Sequence, residues 1–391
     1  MRVARLSLRD FRNYQTQEMR PGPGLNVLVG LNAQGKSNLL EAIYLLATTK
    51  SLRAGRDTEM IRSGAGQALV EAEIETEREG EVALDVTLTP GDRKALRING
   101  SRRQRVIELL GVLNAVFFGA IDLGVVCGEP TLRRRFMNLV ISQMSPKYCF
   151  DLGAYKRVLE QRRGLLKELR DRPVADSGLE VWNDQLAHYG APVVAKRREF
   201  AQELAPLASA IHGRISGGRE ALDVRYMPNI RVADDAGPDG IAQAFHAQIE
   251  RVQHEEIRRG ATLVGPQRDD LRFAVSGSDA RTYGSQGQQR TVVLSLKLAE
   301  FELLCSHVGE APVMLLDDVM SDLDETRRRH LLEALHQRCQ TFLTCTGVRR
   351  LPPALLREAH IWRVTAGSIE PQTLEEALRH EDDDAEEATA P

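Results

Sequence analysis

Gly30-Leu31-Asn32-Ala33-Gln34-Gly35-Lys36-Ser37 is the stretch from which the fold is read. It follows an apolar run, Leu25 to Val29, and opens an amphipathic segment from Lys36 to about Ala47. Strand, tight loop and helix in that order are the setting a Walker A phosphate loop requires. The two glycines let backbone N–H groups turn inward around phosphate oxygens where a side chain would clash. Lys36 supplies a point charge for the outer phosphates, the Ser37 hydroxyl is a Mg²⁺ ligand, and the helix adds its positive dipole end. The expected cofactors are therefore ATP and Mg²⁺, with all eight loop positions binding nucleotide.

A second stretch complements the first. Val313-Met314-Leu315-Leu316-Asp317-Asp318 is an apolar strand ending in two carboxylates, the Walker B pattern. Asp317 is expected to hold Mg²⁺ through its water shell. Asp318 is expected near the γ-phosphate, orienting or deprotonating the attacking water, so that Lys36 and Asp318 are the catalytic candidates. Between the two, Tyr283-Gly-Ser-Gln-Gly-Gln-Gln-Arg290 precedes an apolar helix, Val292 to Leu304. A small polar loop capping a helix is another anion-ready geometry.

With 391 residues the chain suffices for two domains or for one domain with a large insertion. Its 42% hydrophobic and 27% charged residues are those of a globular protein, and no apolar run approaches the roughly 20 residues of a membrane span. No membrane partner is expected. Cys127, Cys149, Cys305, Cys339 and Cys345 form no CxxC pair and no Cys/His cluster, so a reduced cytoplasmic setting without a structural metal is expected. The net charge of −3 conceals an uneven distribution: six carboxylates fall between Glu381 and Glu387, and the remainder carries +3. Residues 371–391 are read as an acidic, disordered tail. Arginines at 2, 5, 9, 12 and 20 and the run Arg133-Arg134-Arg135 are the basic clusters. Each cluster is a candidate for touching phosphate.

Residues 2–9 and 25–29 read as strands feeding the phosphate loop, with Gly22-Pro23-Gly24 turning between them. Val70, Ala72, Ile74 and Thr76, then Val82, Leu84, Val86 and Leu88, alternate with polar residues, and Leu96 to Asn99 adds a strand, so a half-exposed antiparallel sheet is predicted. Val112 to Phe118 predicts a buried strand. From Thr131 the period becomes helical, with Leu152, Tyr155, Leu159, Leu166 and Leu169 on one face. A break at Asp171 to Gly178, a second helix from Leu179 to about Ile211, a loop at Asp234 to Gly240 and a further helix complete a helical lobe. Ser321-Asp-Leu-Asp324, a charged helix and a strand at Thr341 to Thr346 follow Walker B. The expected organisation is an ATPase lobe over 1–130, a helical arm over 131–260, the rest of the ATPase lobe over 261–370, then the tail.

A phosphate loop, a late S-x-G-Q loop and a Walker B strand followed by S-x-L-D is the order found in ABC-type ATPase heads. More narrowly the chain resembles the RecF family of bacterial DNA-repair ATPases. The resemblance rests on Leu8-Arg-Asp-Phe-Arg-Asn-Tyr14, Gly30 to Ile43, Lys50-Ser-Leu-Arg53, Gly265-Pro-Gln-Arg-Asp-Asp270, Tyr283 to Arg290, Leu315-Leu-Asp-Asp318 and Ser321-Asp-Leu-Asp324. It implies an α/β fold: an ABC-type P-loop ATPase head, a mixed sheet flanked by helices, with a helical second lobe. It implies an ATP-dependent homodimer in which Ser285, Gly287 and Gln288 of one subunit face the γ-phosphate on the other's Lys36 loop. It implies sequence-independent binding to duplex DNA and single-strand/duplex junctions, for which Arg53, Arg56, Arg133, Arg134 and Arg135 are the candidate contacts, action with RecR and RecO to load recombinase, support of SOS induction, and slow, DNA-stimulated hydrolysis suited to a switch. Gln267 stands where the family usually has His, and Gly119-Ala-Ile-Asp122 where it tends to have Ser-Pro-Glu-Asp. Asp318 stands where transporter ATPases have Glu. Three other readings share parts of the pattern. A transporter ATPase needs a membrane partner, a cohesin- or Rad50-like protein needs a far longer coiled coil, and a DNA clamp with a vestigial nucleotide site would not need Lys36, Ser37 and Asp317 intact.

Overall fold

The computed structural model describes residues 1–172, 178–233, 236–335 and 337–389. It divides into two compact units, Met1–Leu123 with Val293–Pro391, and Gly124–Val292. In the first unit, β1 (Arg2–Phe11) and β2 (Tyr14–Met19) form a hairpin, and β3 (Leu25–Val29) enters the phosphate loop. The loop's helix, Lys36–Thr48, is followed by β4 (Ala68–Thr76), β5 (Gly80–Leu88), β6 (Ala95–Ile98) and β7 (Ser101–Arg103). All of these strands except β3 join one antiparallel sheet in the order β2-β1-β4-β5-β6-β7. Its alternation is the one predicted: Val70, Ala72, Ile74, Val82, Leu84, Val86 and Leu88 are buried, and their neighbours face outward. β8 (Ala115–Gly119) starts later than the apolar run at Val112. A left-handed turn at Gly111 and a bridge between Leu110 and Leu113 bend the first residues of that run away from the ladder.

The second unit holds helices Pro130–Met144, Pro146–Asp171, Leu179–Ile215 and Pro238–Arg259. The predicted face of the second helix is the buried one, with Tyr155, Leu166 and Leu169 in the interior and Leu159 packed at its edge. Part of the predicted breaks at 171–178 and 234–240 lies outside the described residues. Two strands that the sequence reading passed over, β9 (Leu222–Met227) and β10 (Asp270–Val275), pair antiparallel, with β11 (Ser278–Asp279) beyond. This pairing draws residues 261–292 into the second unit, where the sequence had suggested the ATPase lobe. Short strands paired across 40 or more positions leave no local signature.

The chain then returns to the first unit with β12 (Val313–Asp317), β13 (Thr341–Cys345), β14 (His360–Thr365) and β15 (Ser368–Gln372). Their sheet runs β15-β14-β3-β13-β12-β8, parallel except for the final hairpin. The phosphate-loop helix touches strands of both sheets and is buried from Leu39 to Thr48. The tail departs from expectation. A helix, Leu374–Thr389, begins where Thr373 and Glu376 cap one another, and Ala377 is buried; residues 390 and 391 are outside the described part. Among the described residues no helix is long and apolar enough to cross a membrane.

Candidate nucleotide-binding site

In open α/β sheets ligands bind at the carboxyl ends of the parallel strands. Here β3 ends in the phosphate loop, β12 in Asp317-Asp318, β13 in Thr344-Cys345 and β8 in Gly119. The loop requires its glycines. A Cβ on Gly30 would stand 2.3 Å from the Val364 carbonyl oxygen, and Gly35, at φ +121°, would meet Asn13 at 2.7 Å. The loop's outer turn is held from two sides. Asn13 Nδ2 donates to the Gln34 carbonyl at 2.8 Å and the Tyr14 hydroxyl to the Gly35 carbonyl at 3.0 Å. From the β14–β15 turn, Ala366 N donates to Gln34 Oε1 at 2.6 Å and Gly367 N to the Gln34 carbonyl at 3.0 Å.

Lys36 Nζ donates to the carbonyls of Gly30 (2.6 Å) and Leu31 (2.8 Å), inside the ring it is meant to fill. Burial lowers its pKa, against the pull of Cys345, Asp318 and Asp317. A desolvated ammonium held by the loop's own carbonyls is poised for phosphate oxygens. Ser37 Oγ donates to Asp317 Oδ1 at 2.7 Å, bringing together residues 280 positions apart, and Thr344 Oγ1 donates to the same oxygen at 2.9 Å. A hydroxyl and a carboxylate side by side at the phosphate loop fit Mg²⁺, a hard cation that takes few protein oxygens and keeps several waters. Bound there, the ion would neutralise charge on the outer phosphates. Asp318 is exposed, in the left-handed region at φ 53°, with its N–H fixed by Thr344 Oγ1 at 2.9 Å. A non-glycine residue held there is the kind of local strain that collects at functional sites.

Around this centre lie groups to which the motifs alone assigned no part in the nucleotide site, among them Arg53, expected instead as a DNA contact. Glu41, fully buried on the phosphate-loop helix, takes a bidentate pair from Arg12 (2.8 and 3.0 Å) and a hydrogen bond from Ser51. Burial would raise its pKa, but those two donors outweigh it and hold the carboxyl below its ordinary value. Arg53 Nη2 donates to Asn38 Oδ1 at 2.7 Å, and Asn38 Nδ2 to Asn13 Oδ1 at 2.8 Å, a chain of contacts that ends on the phosphate loop. Asn13, Tyr14, Arg12 and Arg53 all lie in the motifs quoted above, which is the signal that could have marked them.

The departing loop at Gly119 also has a defined place. β8 pairs Gly119 with Asp317, and Asp122 Oδ2 accepts the Gly119 N–H at 2.9 Å. Lys297, buried, lies 3.7 Å from Asp122 and 2.5 Å from Glu300. Burial pushes Glu300 up to about 7, with Lys297 opposing and Asp122 adding to the rise. A folded-state pKa above the unfolded value contributes stability that is complete below about pH 4.5 and is lost as pH rises through about 7. At about 1.36 kcal/mol per unit the loss is on the order of 3 kcal/mol. The melting temperature is therefore expected to fall between pH 5 and pH 8, and Glu300→Gln is expected to flatten that slope. A slope equal in both proteins would refute the assignment.

The signature residues belong to the second unit. Ser285 caps the helix Gln286–Val308, its N–H donating to Gln288 Oε1 (2.9 Å) while Gln288 N donates to Ser285 Oγ (3.2 Å). Gly287 and Gln288 are thus the helix's first turn rather than a free loop, and Gln288 Nε2 also donates to Glu220 (2.9 Å). The capped end remains exposed at Ser285.

The basic candidates divide. Arg53, Arg56 and Arg135 are exposed. Arg133 is not a surface cation: it is buried, pairs bidentately with Asp270 (2.6 and 2.9 Å) and also donates to the Gly128 carbonyl. Arg134 is half-buried and donates to the Asp269 carbonyl at 2.9 Å. Asp269 and Asp270 belong to the stretch Gly265 to Asp270, which is a structural hub. Asp269, fully buried, takes Arg197 (2.8 Å), the Tyr226 hydroxyl and Asn229 N (2.8 Å). Gln267 accepts from the Tyr155 hydroxyl and donates to the Val264 carbonyl, a bridging role within the same unit.

Residues 2–352 match the family described as RecF/RecN/SMC N terminal domain. Relatives include the DNA replication and repair protein RecF of Halalkalibacterium halodurans, 43% identical over 94% of this chain and 99% of that protein. The RecF of Synechocystis sp. is 43% identical over 95% of this chain and 98% of its own length. A solved structure of the recombination mediator protein RecF with ATP, in the RecFOR pathway, aligns at TM-score 0.88 with 30% identity, covering 95% of this chain and 97% of that one. An Smc head domain from Pyrococcus furiosus aligns at TM-score 0.54 with 17% identity over 98% of this chain and 99% of that one, a likeness of fold alone.

Proposed function

This chain belongs to the RecF family of DNA replication and repair proteins, and on that premise we propose that it is an ATP-operated switch on DNA. Two copies close around two nucleotides, Ser285, Gly287 and Gln288 of one completing the Lys36 loop of the other. Lys36 leaves the Gly30 and Leu31 carbonyls for the phosphates, Ser37 and Asp317 hold Mg²⁺, and Asp318 orients the attacking water and accepts its proton. Loss of the γ-phosphate removes the contact across the dimer and loosens it. The closed dimer engages duplex DNA and gap junctions without reading sequence. In the cytoplasm it works with RecO and RecR to load recombinase and supports SOS induction. The observation that carries the reading is the Ser37–Asp317 contact beside Lys36, in a protein whose signature serine caps an exposed helix end.

Sedimentation of the protein alone, with Mg²⁺-ATP, and with Mg²⁺-ATP plus a gapped duplex tests this. The expected result is a monomer that dimerises only with ATP and is held further by DNA. Ser285→Arg is expected to bind ATP normally yet to weaken dimerisation by at least about tenfold, or roughly 1.4 kcal/mol. An association state indifferent to nucleotide, or to this substitution, would remove the mechanism and leave the fold standing.

A further inference from the structure

Residues 93–105, Arg-Lys-Ala-Leu-Arg-Ile-Asn-Gly-Ser-Arg-Arg-Gln-Arg, contain six cations and no carboxylate. Ala95–Ile98 and Ser101–Arg103 pair as the β6–β7 hairpin at one edge of the antiparallel sheet, with Arg93 and Lys94 just before it and Arg105 just after it. Its two-residue turn, Asn99-Gly100, has both residues at positive φ (52° and 73°), the twist-matched geometry that makes a short hairpin rigid. Asn99 Oδ1 accepts the Ala83 N–H at 2.8 Å and pins the turn to β5.

The cations fall into two groups. Lys94 is a tether: its Nζ donates to the Thr49 carbonyl at 2.5 Å and pairs with Asp57 at 2.9 Å, joining the hairpin to the loop that carries Arg53 and Arg56. Arg103 faces Glu108 at 3.8 Å. Arg93, Arg97, Arg102 and Arg105 are exposed. Arg97 stands opposite Asp85 on β5 and, on its other side, directly opposite Arg102 on β7. Among the described residues Arg93, Arg102 and Arg105 have no ion pair or hydrogen bond from their guanidinium groups. Like charges directly opposite on a sheet destabilise it, a cost that protecting the edge from strand pairing does not by itself require. A rigid hairpin that carries Arg102 unpaired on its edge strand, with unpaired Arg93 and Arg105 flanking its two ends in the chain, therefore calls for an anion to bind them. A row of phosphates suits such an edge, because guanidinium groups bind phosphate oxygens bidentately and counterion release drives the association.

We propose that the β6–β7 edge, through Arg93, Arg102 and Arg105 with Arg97 behind them, is a surface on which the phosphate backbone of duplex DNA lies. The inference deepens the DNA-binding reading above and rests on it. It adds a site that none of the basic clusters read from the sequence contains.

The test is a salt titration of binding to a gapped duplex of arbitrary sequence with Mg²⁺-ATP, comparing the full protein with the triple variant Arg93→Gln/Arg102→Gln/Arg105→Gln. Arg97 is kept because Asp85 needs it. The slope of log affinity against log salt is expected to flatten by about three units, near 0.9 per lost contact. ATP binding is expected to be unchanged, and the melting temperature equal or higher because the Arg97–Arg102 repulsion is relieved. If the parent binds DNA and the variant keeps the same slope, this proposal fails alone. If the parent does not bind DNA, the proposal falls together with its premise. A variant that keeps its DNA slope but loses affinity for polyglutamate assigns the edge to an acidic protein and overturns the DNA assignment.

Discussion

Lys36→Ala is expected to lower ATP affinity by roughly 10- to 100-fold and to abolish ATP-driven dimerisation while leaving the protein folded. The ammonium is the one charged donor inside the loop, and a hydrogen bond to a charged group contributes about 1.5–3 kcal/mol, with tenfold in affinity per roughly 1.4. In this structure its partners are two carbonyls, of Gly30 and Leu31, and Leu31 is itself exposed. The substitution therefore frees groups that water can satisfy, and the cost to folding is small. Equilibrium binding of a fluorescent ATP analogue, with a thermal melt beside it, checks both halves. Affinity within threefold of the parent would mean that the backbone ring alone holds the phosphates.

Arg197→Ala is expected to destabilise the second unit by about 3–5 kcal/mol, the range for removing one partner of a buried ion pair. Arg197 is buried and donates to Asp269 (2.8 Å), the Pro266 carbonyl (2.6 Å) and Asn138 (2.9 Å), and its Nε reaches the Tyr148 hydroxyl at 3.0 Å. Without it Asp269 remains as a buried carboxylate with only Tyr226 and the Asn229 N–H to support it. Against a total stability of about 5–15 kcal/mol such a loss is large. Denaturant melts followed by near-ultraviolet circular dichroism, which sees Tyr148, Tyr155 and Tyr226, are the measurement. A change below about 1 kcal/mol would show that water or rearrangement satisfies Asp269.

What was legible in the sequence was whatever is local. The phosphate loop, the β4 and β5 alternation and the buried face of the Pro146–Asp171 helix are set within a few residues by glycine, by a period of two and by a period near 3.6. Asn99-Gly100 was legible in the same way and was overlooked, although its type of turn announces a hairpin. The acidic tail was misread from charge alone. Thr373 and Glu376 start a helix there, and Ala377 is buried.

Arg133 shows why the remainder was not legible. In the sequence it is one of three equal arginines, while in the fold it is buried beside Asp270, 137 positions away. Whether an arginine meets a phosphate or a carboxylate depends on the partner the chain brings to it, and that partner is chosen by packing of distant strands and helices. By itself the sequence marked the groups of the candidate nucleotide site: two loop glycines, one ammonium, one hydroxyl and two carboxylates. The tertiary structure alone decided which groups stand together. It placed Ser37 on Asp317, held Gln34 between two distant turns, assigned residues 261–292 to the second unit through β9 and β10, and, among the described residues, left Arg93, Arg102 and Arg105 without ion pairs. Pairings between residues far apart in the chain follow from the burial of whole faces against one another, and no local pattern records which faces meet.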